Sequence, residues 1–134
     1  MSLNTIEIVD TVVLDFAIIH LRNDGVLFFR ANENVLTLNK NELQVIFETI
    51  IKLTKNKPTP LYVDLYNHIK LTDEEKNYLV NNLSLAITAC AIKEDNIMLR
   101  FVVHTFNYLY RPQTPIKMFK TEDDAVLWLK NNYM

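Results

Sequence analysis

The chain has 134 residues, the usual size of one domain, and folding at this length buries roughly two-thirds of the surface that the unfolded chain exposes. Hydrophobic residues make up 49% and charged residues 22%, which excludes a compositionally disordered chain; a formal charge of -2 excludes a broad basic field for phosphate backbones, so no nucleic-acid partner is expected. One Gly and one Cys exclude a glycine-rich phosphate loop and an intramolecular disulfide.

Met1 to Asp10 lacks the basic region, apolar stretch and small-residue cleavage site of a signal peptide, and no apolar run reaches the roughly 18 residues that span a bilayer. A cytoplasmic protein without a membrane span is the expectation. Residues 1–16 read as an N-terminal extension or an extra strand before a single domain that fills the chain.

Ala17 to Arg22 and Val26 to Ala31 are β-rich runs around Asn23-Asp24-Gly25, so they read as a hairpin whose turn uses the one Gly. Val35 to Leu38 reads as a short third strand. Asn39 followed by Glu42 is a helix capping box, and Leu43, Ile46, Phe47, Ile50 and Ile51 then recur at helical spacing until Pro58 and Pro60 stop the run.

Leu61 to Tyr66 is the next strand. Thr72 with Glu75 forms a second capping box, opening a helix through Tyr78, Leu79 and Leu83. Leu85 to Ile92 is almost wholly apolar, as a strand covered on both faces would be, and Cys90 within it reads as a core residue. Asp95 to Tyr110 predicts a third helix, Ile116 to Lys120 a last strand, and Thr121 with Asp124 the cap of a final helix. Ala125, Trp128 and Leu129 face inward there, so that Trp128→Ala should cost about 3 to 5 kcal/mol. Strands separated by helices pair through crossovers, giving an α/β fold: a mixed sheet with an N-terminal hairpin and about four helices.

Two stretches carry a resemblance. Tyr62-Val63-Asp64-Leu65 looks like the central strand, ending in Asp, of the STAS and SpoIIAA-like fold. Lys117-Met118-Phe119 leading to Ala125-Val126-Leu127-Trp128-Leu129 is similar to the ending of its small stand-alone bacterial members. The resemblance covers roughly Ala17 to the C-terminus and implies a regulatory or protein-interaction role. The phosphorylatable Ser of anti-sigma-factor antagonists has no counterpart: that place reads Leu71-Thr72-Asp73-Glu74-Glu75, where phosphate on Thr72 would meet three acids.

The chemistry of catalysis finds little support. His20, His68 and His104 have no second ligand at helical or turn spacing, so neither a metal nor a cofactor is expected. A Cys90–His104 pair would need a lowered thiol pKa, and an apolar strand raises it. Ser84 has no nucleophile-elbow context, and Asp73, Glu74 and Glu75 are what the dipole of a structural helix attracts.

Asp64 lies at the carboxyl end of a central strand, where open α/β sheets bind ligands, and Tyr66, Asn67, His68 and the cap Thr72 follow it. These five residues form the candidate partner-binding surface, although Asp64 serving only its own loop is equally open. The helix Asp95 to Tyr110 is apolar round most of its circumference, and Phe101, Phe106 and Tyr108 form a candidate dimer or ligand face, with burial inside the monomer as the alternative. The leading expectation is therefore a non-catalytic regulatory or interaction module with an unnamed protein partner, working as a homodimer. The competing one is a carrier of a small apolar ligand or lipid, as the resemblance to lipid-carrying relatives of this fold allows.

Overall fold

The computed structural model describes residues 6–66 and 68–134, so Asn67 lies outside the described residues. Strand β1 (Ile8–Val13) pairs antiparallel with β2 (Ala17–Arg22), and β2 pairs antiparallel with β3 (Leu27–Ala31). Within the N-terminal segment, Ile8–Val13 thus form a strand at the edge of the sheet. Between β2 and β3, Gly25 takes φ +87°, the left-handed value that closes a three-residue hairpin loop, and Asp24 Oδ1 accepts the Val26 N–H at 3.2 Å.

Helix α1 (Lys40–Thr54) leads to β4 (Thr59–Asp64), α2 (Asp73–Ala86) to β5 (Ile87–Lys93), and α3 (Ile97–Tyr110) to β6 (Ile116–Phe119); α4 (Glu122–Tyr133) ends the chain. The pairs β3–β4, β4–β5 and β5–β6 are parallel, so the mixed six-stranded sheet has its strands in chain order. Three successive right-handed crossovers advancing in one direction place α1, α2 and α3 on the same face, leaving the other face to α4.

The period of two along each strand sorts side chains between two cores. Ala17, Ile19, Leu27, Phe29, Leu61, Val63, Cys90 and Ile92 meet α1 to α3, whereas Val26, Phe28, Tyr62, Ala89 and Ala91 meet α4. Both expected capping boxes are present. Asn39 Oδ1 accepts the Glu42 N–H at 2.8 Å, and Thr72 Oγ1 accepts the Glu75 N–H at 3.2 Å.

Three sequence expectations need correction. Val35 to Leu38 is not a strand: β4 already occupies the free side of β3, and only Thr37 bridges, to Lys70, while Leu38 turns into the core. The run Leu85 to Ile92 joins two elements, because α2 continues through Ala86 and Leu85 is 75% exposed on its last turn. Trp128 is half-buried; its ring rests on Phe119 (centroids 5.3 Å apart) and Tyr133 (5.0 Å), and Leu129 takes the inner position.

Candidate apolar cavity

Helices α1 and α2 pack on each other over the sheet, while α3 packs against β6 at its edge. Between them lies a cavity of about 540 Å³, within the range of small-molecule sites. Its floor is the sheet: Phe29, Leu61, Val63, Cys90 and Ile92. Leu43, Ile46 and Phe47 of α1 and Leu79 and Leu83 of α2 form one wall; Leu99, Val102, Val103 and Phe106 of α3 form the other. Phe101, Thr105, Leu109 and Lys70 line it while exposed to solvent, so the cavity opens between α3 and the loop before α2.

The α3 sequence explains this position. Leu99, Val103, Phe106 and Tyr110 follow the 4-3-4 spacing of a single helix face and line the cavity, with Phe106 stacked on Tyr110 at 5.1 Å. That stripe is too narrow for the helix's apolar content, so Ile97, Met98, Phe101, Tyr108 and Leu109 stay exposed, Ile97 by 81%. The Tyr110 hydroxyl donates to Asp73 Oδ1 at 3.2 Å and ties the end of α3 to the first turn of α2.

The candidate residues divide among several places. His68 is half-buried and lines the cavity, as do Phe101 and Phe106; Tyr108 does not line it and faces solvent. Asp64 points to the α4 side, where its carboxylate lies 3.2 Å from the Arg30 guanidinium. It shares no site with His68. Tyr66 is exposed, and Thr72 is engaged as the α2 cap.

On the α4 side the rings of His20, Phe28 and Tyr62 are packed in a row, His20 and Phe28 with centroids 5.0 Å apart and Phe28 and Tyr62 4.8 Å apart. Burial, and then the charges of Arg30 and Arg22, lower the His20 pKa. In the cavity floor, burial pushes the Cys90 thiol up to about 12, which keeps it protonated and unreactive. No group of three His, Cys, Asp or Glu side chains is placed to hold a metal ion among the described residues, and no helix there is long and apolar enough to cross a membrane.

Two lining residues are lysines, Lys70 and Lys76, and neither ammonium has an ion-pair partner among the described residues. No carboxylate lines the cavity among the described residues. Sequence reading passed over both lysines, yet Lys76 stands at i-3 and i-7 from Leu79 and Leu83, which places it on the inward stripe of α2.

A six-stranded mixed sheet with strands in chain order, three helices on one face and one on the other, defines an α/β protein of SpoIIAA-like fold with an apolar cavity under its helices. A solved structure with the same architecture is that of an uncharacterized DUF3478-family protein with a SpoIIAA-like fold from Shewanella loihica PV-4; it matches with a TM-score of 0.56 at 19% identity, covering 96% of this chain and 98% of that one. The chain belongs to the domain-of-unknown-function family DUF7793, whose model matches residues 19–133. No curated protein matches it.

Proposed function

We propose that the protein is a non-catalytic binding protein for a small apolar ligand, held between the sheet and helices α1 to α3. The observation that carries this reading is the cavity of about 540 Å³ with a floor and walls of Leu, Ile, Val and Phe side chains. A void of that size lined by hydrocarbon forfeits dispersion contacts along its whole surface, and an apolar guest restores them. Non-catalytic action is supported by the lining's predominance of Leu, Ile, Val and Phe and by Cys90, which burial holds as the thiol.

Native mass spectrometry of the protein purified from cells tests the reading. The expected spectrum shows adduct mass on the 15.7 kDa chain, and Val102→Trp, which fills the cavity from α3, removes the adduct. A spectrum of bare chain that stays bare after incubation with medium-length apolar compounds would refute it.

The second reading is an interaction module that works as a homodimer through the exposed α3 stripe, with Tyr66, Asn67 and His68 meeting a protein partner. The contiguous exposure of Ile97, Met98, Phe101, Tyr108 and Leu109 favours it, since an isologous contact buries such a stripe against itself. The same spectra distinguish the two: doubled mass that falls to monomer in Tyr108→Lys supports the dimer.

A further inference from the structure

We infer that the ligand is a single-chain amphiphile with a carboxylate head, of the long-chain fatty-acid class, its chain in the cavity and its head on Lys70 and Lys76. The inference rests on the binding reading above and adds the chemistry of the head. Charge complementarity carries it: two lysines, Lys70 and Lys76, line a mostly apolar cavity, and no carboxylate lines it among the described residues. The nearby acids are already engaged. Asp73 accepts the Tyr110 hydroxyl at 3.2 Å, Glu74 lies 3.4 Å from the Lys40 ammonium, and Glu75 closes the α2 capping box through the Thr72 N–H at 2.8 Å.

The position of the two lysines orients the guest. Lys70 is exposed and Lys76 half-buried, so they stand toward solvent, while the apolar floor lies against the sheet. A head group bound there keeps part of its hydration, and the chain behind it leaves water entirely. A neutral hydrocarbon offers the two lysines no counter-charge, whereas a carboxylate at the mouth offers one. Lysine presents a point charge without the bidentate fork of arginine, which suits a small head tethered by its chain.

The test is a fluorescence titration with a polyene fatty acid and, separately, its methyl ester, at about pH 8, where the free acid is ionised. Wild type should bind the acid about tenfold more tightly than the ester, the modest gain expected of two partly exposed charge pairs. Added salt should erode that preference. The double variant Lys70→Gln/Lys76→Gln should lose the preference while keeping its affinity for the ester, which also reports an intact cavity. Equal binding of acid and ester by wild type overturns the carboxylate head and leaves the apolar-ligand reading standing. Binding of neither probe overturns both.

Discussion

At the scale of single residues, Asp24 does more than close a turn. Its side chain is 8% exposed, its oxygens accept from the Arg22 guanidinium and the Val26 N–H, and the Lys130 ammonium of α4 lies 3.4 Å away. Burial raises its pKa, but the Arg22 hydrogen bond, the Val26 N–H and the charges of Arg22 and Lys130 outweigh that and hold the carboxyl below 3.8. A carboxyl with a depressed folded pKa contributes stability that is present above its unfolded value and lost as pH falls through the folded one. Asp24→Asn should therefore cost about 1 to 2 kcal/mol at neutral pH. Denaturation curves of variant and wild type should converge below pH 3.8; a gap independent of pH would mean that packing, not charge, holds the hairpin to α4.

At the scale of elements, α4 shows how one helix serves a whole sheet face. Ala125 and Leu129 are fully buried against Ala89 and Ala91, whose small side chains admit the helix closely. Trp128 lies beside that contact, its ring between Phe119 and Tyr133 with the Lys117 ammonium 5.9 Å from its centroid. A half-buried ring removes less area from water than a core ring, so Trp128→Ala should cost about 2 kcal/mol, short of unfolding the protein. Leu129→Ala, in the core proper, should cost about 3 kcal/mol or more. Urea midpoints for the two variants in the reverse order would place the axis of α4 wrongly. Helix α3 is the opposite case, with more apolar surface than its narrow contact with the sheet edge uses.

At the scale of the whole molecule, the cavity and the fold are linked through stability. A ligand that binds only the folded state stabilises it by mass action, about 2.7 kcal/mol at a hundred times its Kd. For a chain of this length that corresponds to a rise of roughly 8 to 10 °C in Tm. Thermal melts with increasing fatty acid should show this rise in wild type and not in Val102→Trp. A Tm indifferent to the ligand would mean that the folded protein does not bind it, and a rise that persists in Val102→Trp would mean that the guest sits outside the cavity.

Local chemistry was legible in the residues themselves: the hairpin at Asp24-Gly25, both capping boxes, the stop at Pro58 and Pro60, and the strand bearing Cys90 each arise from interactions within a few positions, which sequence spacing encodes. The alternation of strand and helix likewise implied the mixed sheet. What spacing could not encode is how far a helix stands from its neighbour. That distance is set by side chains meeting across the sheet, so the gap between α3 and the α1–α2 pair, and with it the cavity, exists only in the tertiary structure. The same holds for Asp64 and His68, four residues apart yet on opposite sides: Asp64 follows the pleat of Tyr62 toward Arg30 and α4, whereas the chain has left the strand by His68 and turns it toward the cavity.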